Sequence, residues 1–298
     1  MNVHNNDTLA ALNAIEARIG QLTDIVARLT PQLPLETNWA ASDAFTFDAD
    51  LKQALPIRKV NRVDLNVLCA IDYNKQQLLD NTLRFANGYA ANNALLWGAK
   101  GMGKSSLVKA VHAHVNRITT EENNKYPLKL VEIHREDISA LPYLLSLIRQ
   151  SDQRFIVYCD DLSFDDGDST YKSLKSALDG GLEGRPENTL FYASSNRRHL
   201  LPRQMMENER STAINPADSV NEKLSLADRF GLWLGFHNCT QDEYLDIIKS
   251  YLDFYGFKIR IEDVRQEALA WATTRGARSG RVAYQFLQDL AGRHKRSL

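Results

Sequence analysis

The sequence predicts an α/β fold, with a parallel β-sheet covered by helices on both faces and then a small all-helical segment. Two observations predict it. Five short, largely apolar runs (Ala94–Trp97, Leu128–Ile133, Phe155–Cys159, Leu190–Ala193 and Leu232–Phe236) alternate with helical patterns such as Asp137–Arg149 and Thr170–Leu178. Runs that are apolar on both faces and separated by helices belong to buried parallel sheets, where ligands bind at the carboxyl ends of the strands. Beyond residue 239 the strand patterns cease and only helical periodicity remains.

Taken in order, residues 1–60 form the first part. Leu12, Ile15, Ile19, Leu22, Val26 and Leu29 recur at alternating spacings of three and four, the seam of an amphipathic helix that stops at Pro31. That face fits docking on this chain or a neighbour better than a coiled coil, because Ile25 occupies a position where a charge belongs. Residues 31–59, with Pro31, Pro34 and Pro56 among mixed polar residues, read as a linker that can order in part against the main domain. Residues 61–239 carry the alternating pattern. In residues 240–298, Thr240-Gln241-Asp242-Glu243 is a capping box that opens a helix over Tyr244–Tyr255, ended by Gly256. Helices over Glu262–Thr274 and Ser279–Arg293 follow.

Composition narrows the class. The 298 residues are 44% apolar and 24% charged with a net charge of −1, which excludes a chain that binds nucleic acid through overall positive charge. Cys69, Cys159 and Cys239 are scattered and lack C-x-x-C spacing, as expected of reduced thiols in a cytoplasmic protein rather than of a disulfide or zinc framework. Met1 to Asp7 lack a secretory pattern, and no apolar run is long enough to span a bilayer.

The chemistry begins at Gly98-Ala99-Lys100-Gly101-Met102-Gly103-Lys104-Ser105-Ser106, a G-x-x-x-x-G-K-S sequence between a strand and a helix. Such a loop turns backbone N–H groups toward phosphates, places Lys104 at the outer phosphates and offers the Ser105 hydroxyl to Mg²⁺. The run Phe155–Cys159 ends in Asp160-Asp161, where the first acid serves the Mg²⁺ shell and the second orients or deprotonates an attacking water. Leu190–Ala193 runs into Ser194-Ser195-Asn196, whose amide can sense a γ-phosphate or that water. Arg229, before the last strand, is a candidate arginine finger whose bland alternatives are a surface residue or one paired with Asp228. Arg281, or else Arg278, opens the last helix, where a cation opposes the helix dipole and so points to a role at the nucleotide.

Together these stretches resemble the AAA+ ATPases over about residues 62–292. The resemblance is closest to a family of uncharacterised bacterial AAA+ ATP-binding proteins, a domain-of-unknown-function family, through Asn92–Ser106, Cys159–Leu178, Tyr192–Leu201, Lys223–Leu234 and Arg278–Phe286. It implies a P-loop NTPase three-layer αβα domain with a five-stranded parallel sheet, a helical lid, and ATP with Mg²⁺ between them. It further implies a homo-oligomer, commonly a ring, in which Arg229 reaches the neighbour's ATP. Relatives pack the adenine where this chain has Val67–Asp72, and often carry glycine near Ala70 or Ile71. Asp161 stands where many relatives carry Glu, one methylene longer, which implies slow turnover.

The expected activity is ATP hydrolysis that remodels an unknown protein client. His134-Arg135-Glu136-Asp137-Ile138 lacks the aromatic-hydrophobic-Gly loop of polypeptide-threading relatives. An alternative is a loader- or initiator-like switch on DNA, favoured by Arg275, Arg278, Arg281, Arg293, Lys295 and Arg296 near the end of the chain. A third reading is a nucleotide-dependent assembly switch with little turnover. The long polar connection Pro202–Ser225, with Met205 and Met206, is read as a partner-contacting loop.

Overall fold

A computed structural model describes residues 15–21, 37–121, 127–164, 170–180, 184–198, 200 and 226–298. It divides into two compact units, Met1–Thr37 and Asn38–Leu298. In the first, residues 15–21 are helical with Ile15 and Ile19 more than half exposed. The other seam residues, Leu12, Leu22, Val26 and Leu29, lie outside the described residues, as does the connection 201–225.

The second unit is built on strands β1 (Ala44–Asp48), β2 (Gln53–Pro56), β3 (Ala94–Gly98), β4 (Lys129–Glu132), β5 (Phe155–Cys159), β6 (Thr189–Ser195) and β7 (Leu232–Phe236). They form one sheet in the order β2-β1-β4-β5-β6-β3-β7. Among the described residues only β1 and β2 pair antiparallel. The five expected strands are all present, but among the described residues the sheet has seven, which corrects the five-stranded expectation. The two extra strands come from the stretch read as a linker: a hairpin at 44–56 whose β1 adds to β4. Phe45 and Phe47 are buried on one face, and Pro56 ends the edge strand β2, where its missing N–H costs no ladder bond.

Between the strands lie α1 (Asp72–Ala86), α2 (Lys104–Glu121), α3 (Leu141–Arg149) and α4 (Thr170–Asp179). The expected helix Asp137–Arg149 is split: a 3-10 segment over Arg135–Ala140 precedes α3, whose first turn holds Pro142. Proline has no N–H to donate and suits a helix start. Three more helices follow β7: α5 (Gln241–Phe254), α6 (Ile261–Thr274) and α7 (Gly280–Arg293). The Thr240–Glu243 capping box forms, and Gly256 takes φ +64° just past the end of α5.

The alternating faces of each strand feed two cores. In β5, Ile156 and Tyr158 join the layer of α1 and α2, while Phe155, Val157 and Cys159 join that of α3 and α4. The first core continues through α5–α7, where Tyr244, Ile248, Phe286 and Leu287 are fully buried. Each such side chain contributes about 1.5–3 kcal/mol of burial. That continuity holds α7 against the loop that follows β3.

Candidate functional site

Consecutive strands β3 and β4 lie apart in the sheet, with β5 and β6 between them. Such a reversal of strand order opens a crevice at the carboxyl ends. The register sets Trp97 beside Ser195 and Cys159 beside Ala193, so the Gly98 loop, Asp160 and Asn196 emerge together.

The loop conformation depends on glycine at its entrance. Gly98 has φ +123°, and a Cβ there meets the Phe236 carbonyl oxygen at 2.1 Å, so only glycine lets β3 approach β7 this closely. Gly101 and Gly103 also hold positive φ. Of the other loop residues, Ala99 donates its N–H to the Phe236 carbonyl, Lys100 is exposed and Ser106 half-buried. Met102 is buried, and its sulfur accepts from Cys239 Sγ at 3.4 Å.

Lys104, at the first turn of α2, is buried. Its Nζ donates to the Gly98 carbonyl at 3.0 Å, the Ala99 carbonyl at 2.9 Å and Asn196 Oδ1 at 3.1 Å. Burial lowers its pKa, Asp161 and Asp160 oppose that, and Arg281 and Lys100 reinforce it. Asn196 in turn donates from Nδ2 to Asp161 Oδ1, so one amide links the loop lysine to the second acid. Asp161 is exposed and sits in the left-handed region at φ +50°, a strained conformation for a non-glycine residue.

Asp160 is the most heavily bonded member. Its Oδ1 accepts from Ser105 Oγ at 2.7 Å, Tyr158 Oη at 2.7 Å, Ser194 Oγ and the Asp161 N–H. Burial disfavours its charge, yet the hydroxyls of Ser105, Ser194 and Tyr158 outweigh that and hold the carboxyl below its usual pKa. Sequence reasoning missed Tyr158 as a polar partner. Its signal was the strand period of two, which puts residues 158 and 160 on one face. Burial and the Asp160 charge push the phenol well above its usual pKa, so it stays a donor.

Of the two arginines considered for the last helix, Arg281 lies at the loop: its backbone N–H donates to the Gly101 carbonyl at 3.0 Å, and its charge acts on Lys104. Arg229 is not brought to this site. Ala94 pairs with Leu232 and Gly98 with Phe236, so Arg229, just before β7, lies at the opposite, amino end of the sheet. The strand between spans about 16 Å. Arg229 pairs with Asp179 at the end of α4 rather than with Asp228: Nε reaches Oδ1 at 2.6 Å and Nη2 reaches Oδ2 at 2.7 Å. In the segment Val67–Asp72, Ala70 has φ +62°, in the left-handed region that favours glycine. Among the basic residues near the chain end, Arg275 lies 3.5 Å over the Trp271 ring and Arg293 pairs with Glu267 and Asp289. Arg296 donates to the Gly256 and Tyr255 carbonyls.

The family described as "Protein of unknown function (DUF815)" matches residues 40–294. No curated protein matches the sequence. Among solved structures, Aeropyrum pernix ORC1 in complex with DNA is similar at TM-score 0.54 and 14% identity, covering 78% of this chain and 63% of that one. Aeropyrum pernix ORC2, in ADPNP-ADP complexes, is similar at TM-score 0.52 and 13% identity, covering 76% and 64%. A Thermotoga maritima RuvB variant is similar at TM-score 0.50 and 16% identity, covering 78% and 67%. At these identities the likeness is one of fold, and the fold is that of the AAA+ ATPases.

Proposed function

Because the chain belongs to the DUF815 family, whose description assigns no function, we propose one from its own site: an oligomeric, Mg²⁺-dependent ATPase whose turnover rearranges a protein partner. The observation that carries this reading is the single hydrogen-bonded set joining Lys104, Asn196 and Asp161 beside Ser105 and Asp160. In it, the N–H groups of Gly98–Ser106 and the ammonium of Lys104 bind the phosphates of ATP, which replace the loop carbonyls as partners of Nζ. The hydroxyl of Ser105 and the carboxylate of Asp160 are hard oxygen donors that fit Mg²⁺. When bound there, Mg²⁺ supplies neutralisation of the β- and γ-phosphate charge. Asn196 orients the attacking water, and the exposed Asp161 accepts its proton as the water oxygen bonds to the γ-phosphorus. The bond from that phosphorus to the β,γ-bridging oxygen breaks, and ADP and phosphate leave. The shorter reach of Asp161 makes turnover slow. Arg281 covers the phosphates from the helices of residues 240–298, which act as the lid.

Arg229 supports an assembly reading. Lying at the amino end of its own sheet, it meets a γ-phosphate only if that phosphate belongs to a second copy. A ring satisfies that geometry for every member. A protein client is favoured over DNA because Arg275, Arg293 and Arg296 are engaged within the chain. The test is phosphate release from ATP with and without Mg²⁺. Wild type turns over only with Mg²⁺, and Lys104→Ala neither binds nucleotide nor turns over. Unchanged nucleotide binding by Lys104→Ala overturns the reading.

A further inference from the structure

The Arg229–Asp179 pair carries an inference about how the proposed activity is controlled, and it rests on the reading of Arg229 given above. The contact is fork to fork: two guanidinium nitrogens each meet a different carboxylate oxygen, at 2.6 and 2.7 Å. Asp179 is the last residue of α4, and Gly180 beyond it takes φ +79°. A carboxylate at a helix carboxyl end faces the negative pole of the dipole, an unfavourable place unless a cation compensates it. Arg229 is that cation. The pair is only partly shielded, with side-chain exposures of 22% for Arg229 and 45% for Asp179. Ion pairs so exposed contribute little net stability and are readily exchanged.

We propose that Asp179 is an autoinhibitory partner of Arg229: in the isolated chain it occupies and neutralises the guanidinium, and on assembly the neighbour's nucleotide phosphate displaces it. The charge argument fixes the direction. Paired with a carboxylate, the guanidinium has almost no net charge to offer a developing phosphoryl transition state; released, it offers a full positive charge in a planar fork that matches phosphate oxygens. A terminal phosphate carries more negative charge than a carboxylate, so it wins the exchange once brought within reach. Asp179 therefore sets how readily one copy completes the site of the next. Its removal favours the active arrangement without touching any group at the Lys104 site.

The experiment follows the specific ATP hydrolysis rate of the full chain across protein concentration for wild type, Asp179→Asn, Asp179→Glu, Arg229→Ala and the Asp179→Asn/Arg229→Ala double variant. The asparagine keeps the shape and removes the charge. It is expected to lower the concentration of half-maximal activity by about two- to fivefold, matching an exposed pair, with a plateau at or above that of wild type. Asp179→Glu, which restores the charge, returns the curve toward wild type, and the double variant is as inactive as Arg229→Ala. Asp179→Ser, expected to shift the curve in the same direction, guards against a misfolded asparagine variant. A lowered plateau means that Asp179 positions Arg229 for catalysis and overturns the proposal, as does a curve superimposable on wild type. Full turnover by Arg229→Ala instead overturns the underlying reading of Arg229, and the inhibitory role with it.

Discussion

Gly101→Ala tests whether the described loop conformation is the one that binds phosphate. Gly101 holds φ +75°, where an L-residue costs about 1–2 kcal/mol. The added Cβ also falls 2.9 Å from Ser279 Oγ and 3.1 Å from Arg281 Cβ. Ser279 caps α7 by accepting the Val282 N–H, so displacing it forfeits a cap bond of about 1 kcal/mol. A variant loop that relaxes to escape both penalties must return to this conformation to bind phosphate. The sum of about 2–3 kcal/mol therefore appears in binding, as a roughly 30- to 150-fold weaker nucleotide affinity. Isothermal titration with a non-hydrolysable ATP analogue and Mg²⁺ measures it. Gly292→Ala is the control: that glycine lies inside α7 with nothing within 4 Å of an added Cβ, so affinity stays unchanged. There alanine stabilises the helix by about 0.5–1 kcal/mol. An affinity within twofold of wild type for Gly101→Ala refutes the assigned conformation.

Three further outcomes follow from single residues. His112 is fully buried, with Nε2 on the Leu128 carbonyl and Nδ1 without a hydrogen-bond partner among the described residues; burial lowers its pKa, with the Leu128 bond and Asp43 opposing and Arg62 and Lys129 reinforcing. The unfolded chain therefore takes up a proton below about pH 6.5 that the folded chain refuses, so stability is full above that pH and falls below it. Chemical denaturation of wild type loses up to about 2 kcal/mol more than His112→Gln between pH 8 and pH 5, and parallel pH profiles contradict this. Tyr158→Phe removes one donor from Asp160 and costs about 1–2 kcal/mol of stability. It leaves Mg²⁺-free nucleotide affinity unchanged and raises the Mg²⁺ needed for half-maximal turnover; an unshifted Mg²⁺ requirement denies Tyr158 that positioning role. Ala70→Gly relieves a left-handed alanine, about 1–2 kcal/mol, against about 0.4–1 kcal/mol of added unfolded-chain freedom, so the denaturation midpoint rises; a fall contradicts the φ of +62°.

The parts legible in the sequence are those whose signal is local. The five central strands announce themselves as apolar runs because both of their faces are covered, and the proposed phosphate loop is contiguous in the chain. The β1–β2 hairpin was hidden for two reasons. Its strands are short, and its turn reaches positive φ at Lys52 rather than at a glycine or asparagine that would mark it. Three prolines around it spoke for a linker. Within the site, Lys104, Ser105, Asp160 and Asn196 converge as their strand ends suggested. Tyr158 was masked because a tyrosine inside an apolar strand reads as core, which it also is. The Asp179 partner of Arg229 lies 50 residues away and depends on α4 returning its carboxyl end to the amino ends of the strands, a tertiary fact with no local trace.

The central claim, an ATPase site completed between copies, is tested most directly by mixing two inactive proteins. Arg229→Ala keeps an intact Lys104–Asp160–Asp161 site and lacks the finger; Asp161→Asn keeps the finger and lacks the base. Each alone is expected to be silent, and equimolar mixing restores a fraction of wild-type ATP hydrolysis, because some junctions then pair an intact site with an intact Arg229. If each variant is inactive alone and mixing at assembly-competent concentration restores nothing, Arg229 does not serve a neighbour's nucleotide and the account is contradicted.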